Sequence, residues 1–192
     1  MKLFYTLLLS LAGLLISSHS IAQGSLAALD AKNGFKDAKL GTARTQFKGL
    51  VPYKGDKLGS MVRPSDVKRI GDIPLKYIKY NFYKGKLASI LVIADISYKD
   101  AIISTLKVGY GPGVESVGCY RAWKGNKVVM TLPFVLVPDD SIVGVLIKIE
   151  SIAISQQINA DYAAKEAGSF GRFIDKKNRE AEKIGKKRQL DL

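Results

Sequence analysis

The sequence predicts an α+β fold: an antiparallel sheet built from two hairpins and a last strand, packed by one or two short helices, with a C-terminal tail that is helical or frayed. Three observations carry this. Residues Pro74 to Ala94 form two β-prone runs split by Lys84-Gly85, and Gly118 to Leu132 repeats the arrangement around Lys124-Gly125-Asn126. Between them Ile102, Ile103 and Leu106 recur at helical spacing.

In chain order, residues 1–22 read as a signal peptide. Lys2 precedes an apolar run from Leu3 to Ile16, and the small residues Ser20 and Ala22 stand before a cut near Ala22. The expected mature chain is periplasmic or secreted, with residues 23–155 forming the α+β domain and 156–192 a charged extension. No transmembrane span is expected in it: the leader's apolar block is shorter than the roughly 20 residues a bilayer needs, and no later stretch lacks charges for that long. After a small-residue lead-in from Gln23 to Ala31, Gly34 to Thr42 reads as a short strand ending at a Thr42 cap. Ala43 to Leu50 then reads as a short helix around Arg44 that turns Phe47 and Leu50 inward and stops at Pro52. Lys54 to Asp72, with Gly55, Gly59, Pro64 and Gly71, has the composition of a loop.

In the first hairpin a two-residue Lys84-Gly85 turn sets Tyr83 opposite Lys86 and Phe82 opposite Leu87. Counting on, Tyr80 faces Ser89 and Ile78 faces Leu91. The second run is apolar on both sides, as in a central strand covered on both faces. Ser97 with Asp100 resembles a capping box for a helix from Ser97 to Val108, which Gly109, Gly111, Pro112 and Gly113 stop. The last strand runs from Ile142 to about Ile154. In the tail, Ile158, Tyr162 and Ala163 share a helical face that Gly168 and Gly171 interrupt, and Arg172 to Ile184 reads as a further, very polar helix.

The chain carries 30 Lys and Arg against 17 Asp and Glu, a formal net charge of +13, and the excess is concentrated. From Lys32 to Lys86 there are 14 basic and 4 acidic residues, a net +10. Such a field favours anionic partners, although it serves solubility equally well. The only histidine, His19, lies in the leader, so the mature chain is expected to lack the imidazole of a Ser-His-Asp triad, a Cys-His pair or a histidine zinc site. One cysteine, Cys119, forms no intrachain disulfide and no Cys-rich metal site. It reads as a small buried hydrophobe, or alternatively as an intermolecular disulfide partner or reactive thiol. No catalytic residue, metal site or cofactor is expected.

The remaining chemistry has ordinary readings. Ser104-Thr105-Leu106-Lys107 matches a serine–lysine tetrapeptide but lies on the amphipathic helix. Asp139-Asp140 reads as a solvated turn, and Glu115 with Glu150 is a glycosidase pair only if folding joins them. The most suggestive group is Lys76, Tyr77, Lys79, Tyr83, Lys84 and Lys86 along the first hairpin. Lysines interleaved with tyrosines neutralise phosphates or carboxylates while the rings stack on sugars or bases; a strand's solvent face gives the same alternation.

Gly34-Phe35, Leu40-Gly41-Thr42, Ile70-Gly71-Asp72-Ile73-Pro74, Tyr80 to Leu87 and Leu106 to Gly111 together resemble small exported bacterial proteins of unassigned function. More distantly, strand-Gly-Thr-helix followed by a hairpin is similar to the small outer-membrane assembly lipoproteins. The lipid-bearing cysteine of those lipoproteins has no counterpart at the leader's end here, and no functional residue carries over. The expectation is a non-catalytic binding or assembly module of the cell envelope. Its partner is an anionic lipid, lipopolysaccharide or glycan, or another envelope protein; export disfavours nucleic acid. The competing readings are a carboxylate-based enzyme acting on cell-wall glycans and a protein-partner module that uses the C-terminal tail.

Overall fold

The computed structural model describes residues 24–54, 56, 59–133, 144–169 and 177. It is α+β, and its main sheet is antiparallel throughout. The lead-in is helical: α1 (Leu26–Lys32) is capped by the Ser25 hydroxyl, which accepts from the Ala28 N–H, and is closed by Asn33 in the left-handed region. Leu29 fixes this helix to the core at 1 % exposure. Asp30 fixes it a second time. Its carboxylate accepts the backbone N–H groups of Asn126, Lys127 and Val128 at 2.6, 2.9 and 3.1 Å. Partial burial raises the Asp30 pKa, but these three bonds outweigh it and hold the group below the usual carboxylate value.

Gly34 to Thr42 is a small hairpin, β1 (Gly34–Phe35) and β2 (Ala38–Lys39), in place of one strand. The expected Ala43–Leu50 helix is a single 3-10 turn, Arg44–Gln46, with no side-chain cap from Thr42. Backbone bonds explain the difference: Thr42 accepts from Leu87 N–H, and Arg44 N–H donates to the Gly85 carbonyl, so the segment is tied to the first hairpin's tip. A segment this short also repays little of the cost of helix nucleation. Phe47 does turn inward, 6.0 Å from the Tyr80 ring and 5.6 Å from Phe82. The expected loop region holds β4 (Met61–Val62) and β5 (Arg69–Ile70), preceded by β3 (Val51–Pro52). Two-residue strands leave no period to read; pairing to an existing edge creates them.

The first hairpin is β6 (Ile73–Tyr83) and β7 (Lys86–Asp95). Lys84 and Gly85 both have positive φ, 46° and 76°, as a two-residue hairpin turn requires. Tyr83↔Lys86 and Phe82↔Leu87 pair as the sequence indicates, but a bulge at Ala88 moves the rest by one, giving Asn81↔Ser89, Tyr80↔Ile90 and Ile78↔Val92. Apolar residues on both sides of β7 leave its register weakly specified, and polar matching decides it. The Asn81 amide donates to the Ser89 hydroxyl at 3.0 Å and its carbonyl accepts from Ser60 at 2.6 Å.

Asp95 then caps the next helix, accepting from the Ser97 N–H at 3.0 Å, so the Ser97–Asp100 box is not used. A 3-10 turn, Ile96–Tyr98, leads into α2 (Lys99–Tyr110), which passes through Gly109 and stops at Gly111. The short edge strand β8 (Val114–Ser116) precedes the second hairpin, β9 (Cys119–Lys124) and β10 (Val128–Pro133). The last strand, β11 (Gly144–Ser151), ends earlier than the sequence suggests because the Ser151 hydroxyl accepts from Ile154 N–H and starts helix α3, residues 152–169. Gly168 lies within α3. The expected Arg172–Ile184 helix, apart from Lys177, and the Asp139-Asp140 turn lie outside the described residues.

The sheet order is β3-β4-β6-β7-β11-β10-β9-β8, with β5 paired to the start of β6. One cross-strand row, Met61, Tyr80, Ile90, Ile149, Met130 and Trp123, runs through six strands with every member at most 6 % exposed. Leu29 from α1, Ile102 and Leu106 from α2, and Ala38 and Leu40 belong to the same core cluster as this face. On the opposite face the next row reads Lys79, Leu91, Lys148, Thr131 and Ala122, all half-buried.

Candidate binding face on the outer side of the sheet

Because side chains alternate along β6, Tyr77, Lys79, Asn81 and Tyr83 stand on the outer face while Ile78, Tyr80 and Phe82 enter the core. Lys86, directly opposite Tyr83, joins the outer set. Four of the six residues singled out by sequence therefore share one face, over roughly 20 Å of strand. The other two lie apart. Lys76 is the extra residue of a bulge between Leu75 and Tyr77, and its ammonium pairs with Asp95 at 2.8 Å. Lys84 sits in the turn and pairs with Asp161 of α3 at 2.5 Å.

Sequence reasoning missed Tyr53. It follows β3 and brings its ring edge-to-face against Tyr77, with centroids 5.4 Å apart, and the Lys79 ammonium lies 3.7 Å from the Tyr53 ring centre. This is close cation–π geometry. The signal was absent because a loop reading of 54–72 gave no reason to fold Tyr53 onto β6. Beside the trio, between the β4 pairing at Tyr80 and the β5 pairing at Ile73 and Pro74, a cleft of about 180 Å³ opens. Its walls are Tyr53, Val62, Pro64, Tyr77 and Ile78, together with Arg63, Asp66 and Lys68. Lys68 is exposed.

The cleft's acidic and guanidinium groups are committed to the scaffold. Arg63 grips Asp37 through two bonds of 2.7 Å and Asp66 at 2.6 Å, and Asp66, whose side chain is 3 % exposed, also accepts from the Tyr80 hydroxyl at 2.6 Å. The Arg63 contact holds Asp37 below the usual carboxylate range. Burial, reinforced by Asp66, pushes the Tyr80 phenol well above its ordinary pKa, so it remains a hydrogen-bond donor. By contrast, Lys79 has no carboxylate partner among the described residues.

Other candidates separate. Glu115 on β8 and Glu150 on β11 are three strands apart, roughly 14 Å across the sheet and beyond the reach of a glycosidase pair. Each is also engaged, Glu115 with Arg121 at 3.2 Å and Glu150 with Lys148 at 2.9 Å. Ser104 and Lys107 both lie on the exposed side of α2. Cys119 is half-buried, not sealed in the core, and lines a wide hollow of about 480 Å³ with Glu115, Ser116, Val117 and Tyr120.

No helix among the described residues is long and apolar enough to cross a membrane. Comparison of the chain with protein-family models, with curated proteins and with solved structures found no match.

Proposed function

We propose that this protein is an exported, non-catalytic binding or assembly module of the cell envelope that holds an anionic component against the outer face of its sheet. The observation that carries the reading is the Lys79 ammonium, seated on Tyr53 beside Tyr77 at the cleft and offered no carboxylate by the described residues. A cation ordered by aromatic rings is poised for an outside anion, and the rings supply apolar contact for whatever bears the charge. Lys68 and Lys86 extend the positive field to either side.

Lipopolysaccharide and anionic vesicles are the first ligands to test. Lys79→Glu weakens binding, as rising salt does, because both reduce the attraction of a cation that is only half-buried. Unchanged binding on both counts rejects the assignment. Export is tested separately: the periplasmic or secreted form begins near Gln23, whereas purification from the cytosol with residues 1–22 attached contradicts it. A second reading, a protein-partner surface on α3, draws on the exposure of residues 162–169. Its mark is a copurifying protein lost when the chain is truncated after Asp161, which removes that surface.

A further inference from the structure

The tip of the β6–β7 hairpin already holds a carboxylate. Asp161, 77 residues further along the chain than Lys84, accepts from the Tyr83 hydroxyl at 2.5 Å and lies 2.5 Å from the Lys84 ammonium. Both lysine and phenol keep their protons more tightly for it, and Asp161 is held below the usual carboxylate range. Lys86 stands on the same face opposite Tyr83, exposed, with no carboxylate partner among the described residues. The tip therefore sets the Lys84 ammonium and the Tyr83 phenol on one carboxylate, with the Lys86 ammonium uncommitted on the face that Tyr83 shares.

The hold on α3 is light. Ile154 is buried, Ile158 and Asp161 are half-buried, and residues 162–169 are exposed. Lys84 and Asp161 side chains are 57 % and 41 % exposed, so their attraction is weak and falls with salt.

We propose that the hairpin tip is a binding site for a phosphate monoester, at which Asp161 stands in for the ligand, so that binding displaces Asp161 and frees α3 from the hairpin. A phosphate monoester matches the site better than a carboxylate does on two counts. Its charge approaches −2 at neutral pH, equal and opposite to Lys84 plus Lys86. Its three terminal oxygens also match three donors, the Tyr83 hydroxyl and the two ammonium groups, where a carboxylate has two. This rests on the reading of the outer face as an anion-binding face, and adds the ligand's chemistry and the competitor built into the chain.

The test uses the full processed chain with vesicles containing phosphatidic acid, whose headgroup is a monoester, or phosphatidylglycerol, a diester, and with inorganic phosphate in solution. Binding is measured alongside hydrogen exchange of α3. Asp161→Asn is expected to tighten binding to phosphatidic acid roughly threefold, the scale of losing one exposed ion pair. Lys86→Gln and Tyr83→Phe are expected to weaken it. Amides of 152–169 exchange faster once the monoester is bound. The same acceleration with inorganic phosphate identifies a soluble source, and acceleration with phosphatidic acid alone a lipid-borne one. Equal affinity for the two lipids, an Asp161→Asn protein that binds no more tightly than wild type, or α3 exchange unmoved by bound monoester overturns the proposal. If Lys79→Glu weakens vesicle binding while Asp161→Asn changes nothing, only this inference falls. If Lys79→Glu also has no effect, the functional reading falls with it.

Discussion

Tyr80 and Lys79 are neighbours in sequence and belong to opposite worlds. The Tyr80 row is sealed across six strands and its polar atoms are satisfied, down to the Asp66–Arg63–Asp37 chain that receives the phenol. The Lys79 row is half-open, its cation held by rings and not by a carboxylate of the described chain. A one-residue step on a strand separates what holds the fold from what we propose is offered to a partner. Substitutions in the first row therefore register as stability, and substitutions in the second as binding.

The largest effect is expected at Trp123. It is 1 % exposed, ends the sealed row and donates to the Gly111 carbonyl at 2.8 Å. Trp123→Ala is expected to cost about 3–5 kcal/mol, read by denaturant unfolding. Asp66→Ala follows, since it strips acceptors from Tyr80 and Arg63; bonds to a charged group contribute roughly 1.5–3 kcal/mol. Asp30→Ala removes three backbone bonds at a partly exposed position and is expected to cost about 1 kcal/mol. Its fingerprint is faster amide exchange at residues 126–128 than at β6. Smaller still is an acid-dependent loss through Asp95, whose pKa the Lys76 ammonium and the Ser97 donors bring from 3.8 to about 2. Because the folded value is the lower one, this stabilisation is complete above pH 3.8 and disappears as pH falls through about 2. Asp95→Asn flattens that part of the stability–pH curve. Tyr77→Ala and Lys79→Glu complete the series, each within about 1 kcal/mol of wild type in stability, the scale of the aromatic pair or cation–π contact that each removes. A large destabilisation by either would show that the outer face is structural.

The hairpins were legible because strand alternation and turn chemistry are local. Lys84-Gly85 and Lys124-Gly125-Asn126 mark their turns, and Ile102 and Leu106 mark α2. Elements of two or three residues were not, since β3, β4, β5 and β8 exist only where a neighbouring edge supplies partners. Helix α1 was readable in retrospect from Ser25, Leu29 and Asn33, a cap, an anchor and a left-handed stop, but a small-residue lead-in hid it. The register beyond Asn81 depended on the Ser60–Asn81–Ser89 bonds, which no local pattern announces. For the candidate site, alternation placed Tyr77, Lys79, Tyr83 and Lys86 on one face. It was silent on long-range partners: Tyr53 was missed, and Asp161 and Asp95 claim Lys84 and Lys76 from distant parts of the chain.

The central claim is that Lys79, ordered by Tyr53 and Tyr77, holds an outside anion. The most direct measurement is a titration of wild-type and Lys79→Glu proteins with lipopolysaccharide-bearing vesicles at low and high salt, with both folds verified by unfolding midpoint. The account predicts matching midpoints, a clear loss of affinity in the variant, and a weaker salt dependence for what binding it keeps. Equal affinities at equal stability would contradict it.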